Sequence, residues 1–194
     1  MKATLIESEK SPGRPCNVRV VNVVATASLD QKIDLLAIMK VFTNVEYRPK
    51  KFPGLVFALK RPKTKTLIFT TGKMVCTGAK SAKMASSAVR KVVRELKNKG
   101  IIILSKPVIT VQNMVASAYV GGKVDLEDAA YVLDNIMYEP EQFPGAIYRI
   151  KDPKAVILIF STGKLVITGA KSEEQVQEAA EKVRAVLVDN DLLL

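Results

Sequence analysis

Residues 18–98 of this chain return, without a gap, as residues 109–189. Sliding the sequence against itself by 91 positions gives 34 identities in 81, where chance composition would give roughly one in fifteen. The densest matches pair Phe52-Pro53-Gly54 with Phe143-Pro144-Gly145 and Thr71-Gly72-Lys73 with Thr162-Gly163-Lys164. The longest pairs Thr77-Gly78-Ala79-Lys80-Ser81 with Thr168-Gly169-Ala170-Lys171-Ser172. Solenoid units repeat every 20–50 residues or so, and this period is far longer, so each copy reads as a half-domain of several elements. The organisation expected is a polar tail over 1–16, a first repeat over 17–108 and a second over 109–194, the two repeats forming one continuous domain. Of the 194 residues 48% are hydrophobic, enough for a packed core.

Each copy reads as a strand, a short helix, four shorter strands and a longer helix. Residues 18–27 and 109–118 alternate and are β-branched, which puts Asn22, Val24 and Thr26 on one face, and Asn113, Val115 and Ser117 on the matching face. A short helix is expected at about 33–42 and 124–134, with Ile33, Leu36 and Met39 or Val41 at helical spacing. Strand-like runs follow near 45–48, 54–60, 65–70 and 73–78, and again near 136–139, 145–151, 155–161 and 164–169. They are divided by Pro49, Pro62 and the Thr71-Gly72 turn. Ser81 and Ser172 are candidate N-caps of the last helix in each copy, and Ser172 with Gln175 has capping-box spacing. Ala85, Val89, Val92 and Leu96 make an apolar stripe suited to packing on a sheet.

Antiparallel strands with helices segregated to one side define an α+β architecture, and duplication extends it to one sheet with pseudo-twofold symmetry. The other sheet face is then uncovered. It would carry Val24, Leu67, Phe69, Val75 and Thr77, with Val115, Leu158, Phe160, Val166 and Thr168 from the second copy. An exposed apolar face of that size is either a binding surface or an aggregation hazard, and the binding surface is the reading favoured here.

The net charge of +11 points to an anionic partner, nucleic acid being the commonest for a basic protein. The excess is one-sided. Residues 1–108 hold 22 Lys/Arg against 6 Asp/Glu and residues 109–194 hold 8 against 13, so +16 stands beside −5. Two cysteines, Cys16 and Cys76, and no histidine argue against a disulfide framework or a zinc site. Cys76 is matched by Ile167, which suggests a buried slot rather than a nucleophile. The Gly-Ala-Lys-Ser segments lack the spacing of a phosphate-binding loop, and no histidine base or metal cluster is visible, so an enzyme is not expected. No stretch approaches the roughly 20 apolar residues of a membrane span, so a membrane partner is not expected either.

Several long motifs together resemble the core domain of TATA-binding proteins, of the archaeal type, over essentially residues 17–188. They are Val21-Asn22-Val23-Val24-Ala25-Thr26, Val45-Glu46-Tyr47, Phe52-Pro53-Gly54-Leu55-Val56, Leu67-Ile68-Phe69 and Gly72 to Ser81. The second copy repeats them as Gln112 to Ser117, Tyr138 to Gly145, Leu158-Ile159-Phe160 and Gly163 to Ser172. The resemblance implies a saddle, a curved antiparallel sheet with helices on the convex face and double-stranded DNA under the concave one. It implies that Phe52 with Phe69, and Phe143 with Phe160, wedge between base steps; this family is itself the standard example of such wedging. From spacing alone, core packing of these rings is the commoner arrangement. Asn22 and Asn113 would bond base acceptors at the centre of the site, helped by Thr77 and Thr168. Val24, Leu67, Val75, Val115, Leu158 and Val166 would touch sugars and base edges. Phosphate contacts would fall to Thr71, Lys73, Lys80, Arg149, Thr162, Lys164 and Lys171. Arg149 is matched by Ala58, which leaves open whether the first copy loses that contact; Lys51, Lys60 and Lys63 are candidates to compensate.

The resemblance further implies a general transcription initiation factor that kinks a TATA box, works without a cofactor, and recruits a B-type initiation factor and, indirectly, RNA polymerase. It would act in the archaeal cytoplasm at the nucleoid. Glu139 and Glu141, in the loop matched by Arg48-Pro49-Lys50-Lys51, are the candidate initiation-factor contacts. The basic helix 81–99 would hold flanking DNA or an acidic partner, or is simply a solvated face. An uncovered sheet also admits a homodimer of the free protein. Rival readings are a recognition module of the kind appended to nucleases or glycosylases, and an adaptor that binds only protein.

Overall fold

The computed structural model describes residues 16–194. Its elements run β1 (Arg19–Ser28), α1 (Leu35–Val41), β2 (Val45–Tyr47), β3 (Leu55–Leu59), β4 (Thr64–Ile68), β5 (Lys73–Ala79) and α2 (Ala82–Asn98). The second repeat follows with β6 (Val108–Tyr119), α3 (Leu126–Val132), β7 (Ile136–Met137), β8 (Gly145–Lys151), β9 (Lys154–Phe160), β10 (Lys164–Ala170) and α4 (Glu173–Asp189). All ten strands join one antiparallel sheet in the order β2-β3-β4-β5-β1-β6-β10-β9-β8-β7. The first strand of each copy is therefore central, and the pseudo-twofold axis passes between them. The edges are the two shortest strands, a form that limits edge-to-edge pairing.

Strict alternation explains how one sheet face is covered and the other is not. On β1, Val23, Ala25 and Ala27 are buried while Asn22, Val24, Thr26 and Ser28 stay partly open. On β9, Ala155, Ile157 and Ile159 are buried and Val156, Leu158 and Phe160 are not. α2 and α4 lie over the buried side. Ala85, Val89, Val92 and Leu96 are fully enclosed, as the apolar stripe requires, and Val176, Ala180, Val183 and Leu187 do the same for α4. The core divides into two clusters, one under each long helix. Cys76 is fully buried, as its pairing with Ile167 implied, and burial pushes its thiol above the usual range.

The N-caps stand where expected: Ser81 Oγ accepts from Met84 N at 3.1 Å and Ser172 Oγ from Gln175 N at 3.2 Å. The return bond differs from a capping box. Gln175 Oε1 accepts from Lys171 N, one residue before the cap, at 2.9 Å, and Met84 Sδ takes the same place for Lys80 N at 3.3 Å.

The short helices correct the expected phase. α1 starts at Leu35, capped by Asp34, whose carboxylate accepts from Leu36 N and Ala37 N. Ile33 precedes the cap and shares a core with Ile38, four residues into the helix, so it acts as a staple rather than a helical residue. That fixes Leu35 and Ile38 inward and leaves Leu36, Met39 and Val41 exposed, contrary to the stripe read from spacing.

Candidate nucleic-acid interface

The open face is built outward from the β1–β6 pair. Asn22 stands opposite Val115, and Val24 opposite Asn113, so the four form a symmetric group about the pseudo-twofold axis. Each asparagine is held from the neighbouring strand. Asn22 Oδ1 accepts from Gly78 N at 2.8 Å and its Nδ2 lies 3.3 Å from Thr77 Oγ1. Asn113 repeats this with Gly169 N at 2.7 Å and Thr168 Oγ1 at 3.2 Å. The backbone N–H can only donate, so the carbonyl end of each amide is committed to it, and the NH₂ end, which gives one hydrogen to the threonine hydroxyl, keeps the other for the face.

This arrangement accounts for the Thr-Gly-Ala-Lys-Ser motif. Thr77 and Gly78 together oppose Val24, and Thr168 and Gly169 oppose Val115, as β-bulges. Gly78 and Gly169 have φ of +96° and +95°, a region costly for any residue with a Cβ. The bulge turns the glycine N–H toward the asparagine, Ala79 and Ala170 drop into the core, and the serine caps the next helix. An asparagine is thus accommodated in a central strand because its acceptor is already satisfied.

Beyond the centre lies an apolar strip. Val75 faces Leu67 on the next strand, and Val166 faces Leu158. The registers continue it to Val56 and Ile147, which the sequence reading passed over because their place on this face depends on strand pairing. A groove of about 640 Å³ opens beside Phe69, lined by Thr26, Ser28, Thr71, Lys73 and Val75 among others.

Phe52, Phe69, Phe143 and Phe160 stand on this face, not in either core. Phe52 and Phe69 meet edge to face with centroids 5.9 Å apart, and Phe143 and Phe160 do so at the same 5.9 Å. Phe52 is 40% and Phe143 37% exposed. Beneath each pair lies a glycine. A Cβ on Gly54 would stand 2.7 Å from the Phe52 ring and 3.0 Å from the Phe69 ring; on Gly145 the distances are 2.8 and 3.1 Å to Phe143 and Phe160. The Phe-Pro-Gly motif therefore carries its own seat for the ring pair, a role that only packing reveals.

Lys73, Lys80, Lys164 and Lys171 are exposed, with Thr71 and Thr162 in the exposed turns before β5 and β10. Arg149 lies on β8 opposite Val156, which places both on the open face. At the equivalent place Ala58 stands opposite Lys65. Lys51 lies in the loop before Phe52, and Lys60 and Lys63 in the β3–β4 turn, so none of these three is on the strand face beside Ala58. Glu139 and Glu141 are exposed in a turn where Gln142 N and Phe143 N donate to Glu139 O at 3.0 and 2.9 Å. The Arg48 loop has the same turn, with Lys51 N and Phe52 N donating to Arg48 O at 2.8 and 3.0 Å.

Among the described residues no His, Cys, Asp and Glu cluster as three or more around a metal-sized space, and no helix is long and apolar enough to cross a membrane. A duplicated α+β saddle with an apolar open face, a cationic border and an aromatic pair toward each end is a class defined by a surface, not a pocket.

The family model of transcription factor TFIID, or TATA-binding protein, matches residues 17–99 and 108–189. The TATA-box-binding protein of Sulfurisphaera tokodaii is 52% identical over 174 residues, covering 90% of this chain and 88% of the relative. That of Methanocaldococcus jannaschii is 48% identical, covering 86% and 91%. The solved structure of Methanococcus jannaschii TBP superposes with a TM-score of 0.82 at 46% identity, covering 89% of this chain and 98% of that one. The chain belongs to the TATA-binding protein family.

Proposed function

We propose that this chain is a non-catalytic general transcription initiation factor that grips A·T-rich promoter DNA through the minor groove, kinks it, and presents the Glu139 loop to a B-type initiation factor. The observation that carries the reading is the fixed orientation of Asn22 and Asn113. Each keeps one amide hydrogen, beyond the one given to Thr77 or Thr168, at the centre of an apolar face. In the minor groove A·T pairs offer only acceptors, whereas guanine adds an amino group that would oppose these donors and find no partner among valines.

The remaining geometry supports the same act. Rings seated on Gly54 and Gly145 are rigid apolar wedges that replace the stacking partner lost when a base step opens. Cations at the border neutralise phosphates and release counterions, so affinity falls as salt rises. A module that binds only protein would need neither the paired amides nor the cationic rim.

The test is fluorescence-anisotropy binding to a TATA-box duplex and a G·C-substituted duplex across a salt series, with Phe143→Ala and Phe160→Ala beside wild type. The expected result is A·T preference, lost in both folded variants. Equal binding to the two duplexes, untouched by either substitution, would sink the reading.

A further inference from the structure

The two halves of the open face carry their cation on different strands. Outward from the pseudo-twofold axis in the second repeat, one row reads Asn113, Thr168, Val156, Arg149 across β6, β10, β9 and β8. In the first repeat the same row reads Asn22, Thr77, Lys65, Ala58 across β1, β5, β4 and β3. Alanine replaces the arginine, and a lysine replaces the valine one strand nearer the centre.

We propose that Lys65 is the first repeat's phosphate contact on this row, standing in for the cation that Ala58 cannot supply. This rests on the reading that DNA lies on this face. Lys65 alternates with the buried Thr64 and Thr66 and shares its face with Leu67, so it points to the open side. Among the described residues it enters no ion pair, which leaves its ammonium to whatever anion covers the face. Neighbouring strands are about 4.8 Å apart, less than the length of a lysine side chain, so its flexible stem spans the step that Arg149 does not need. The first half-site is consequently held by a point charge on a flexible stem rooted one strand nearer the centre, and the second by a planar guanidinium rooted on the outer strand. Lys51, Lys60 and Lys63 have no share in this row.

The experiment is the salt dependence of binding to a TATA-box duplex for wild type, Lys65→Val, Arg149→Ala and the double variant Ala58→Arg/Lys65→Val. Asn113→Asp serves as the control for the face itself, and far-ultraviolet circular dichroism as the check on folding. Lys65→Val should flatten the slope of log K against log salt by about 0.9, so a fourfold rise in salt costs it roughly 3.5-fold less affinity than wild type. The double variant, which copies the second repeat's pairing, should restore the wild-type slope. An unchanged slope in Lys65→Val, with A·T preference intact in wild type and lost in Asn113→Asp, would overturn the proposal and leave Lys65 a solvated charge. Absence of A·T preference in wild type would instead overturn the reading of the face.

Discussion

The role proposed for Asn113 runs through one end of its amide, and an isosteric change separates shape from chemistry. Asn113→Asp keeps the acceptor for Gly169 N, which lies 2.7 Å away, but replaces the outward NH₂ with a carboxylate oxygen. The lost donor and the added charge both oppose an acceptor-lined groove. Affinity for a TATA-box duplex in a competition assay should fall at least about fivefold, the equivalent of about 1 kcal/mol for a lost base-edge contact. The melting temperature should stay near wild type. Gly145→Ala attacks the same face through packing, because the added methyl displaces the Phe143 and Phe160 rings; fluorescence transfer across end-labelled DNA should report less bending. Cys16 is 5% exposed, and burial beside Glu181 pushes its thiol up to about 11. A raised folded-state value means the stability it brings is complete below the unfolded thiol's range, about 8.5, and is lost as pH climbs toward 11. Urea midpoints of Cys16→Ala should therefore fall less than wild type between pH 9 and 11. The asparagines and phenylalanines were legible in the sequence because each recurs at the same offset, and repetition is poor company for an accidental core residue. Lys65 was not legible that way. It breaks the repeat, and its meaning appears only when the register sets it against Ala58.

At the scale of elements, caps and strand alternation were readable and helix phase was not. A period of 3.6 admits several stripes in a helix of seven residues, and Ile33, Leu36 and Met39 fit as well on paper as Leu35 and Ile38. The decision came from Asp34, which starts the helix, and from Ile33, which packs before the cap on Ile38. The long helices were safer: a stripe over 17 residues has little freedom to rotate. The consequence is measurable in urea denaturation. Ile38→Ala, at 0% exposure, should cost about 2–5 kcal/mol through lost burial and a cavity. Leu36→Ala, at 54% exposure, should cost well under half of that. Equal costs would mean that the helix packs by the stripe its spacing suggested. The β-bulges lay beyond sequence reasoning altogether, since Thr-Gly between two strand-like residues reads as a strand weakened by glycine, not as the feature that aims an N–H at an asparagine.

At the scale of the molecule a nearly symmetric backbone carries an asymmetric field, and that gives the saddle a direction. The two loops that precede the Phe-Pro-Gly motifs differ most. Arg48-Pro49-Lys50-Lys51 and Glu139-Pro140-Glu141-Gln142 share one turn geometry, each bonding two backbone N–H groups to the carbonyl of its first residue. Their side chains are exposed, so exchanging them disturbs no core. Among the described residues the ion pair at stake, Arg48 with Glu46 at 2.8 Å, is at the surface, where such pairs contribute little. A basic partner surface is steered toward the acidic loop and away from the basic one, and steering of this kind acts on association rate and on the choice between two otherwise equivalent ends. A protein with the two four-residue loops exchanged should still bind a TATA-box duplex, because the open face and both phenylalanine pairs are untouched. Under the proposed function, it should recruit the B-type initiation factor to the opposite end of the saddle. On a DNA with one TATA box, footprinting of the three-component complex should show the factor's protection move from one flank to the other. Protection that stays on the original flank would assign the direction to the sheet itself, where Lys65 and Arg149 already make the halves unequal, and not to the charge of the loops.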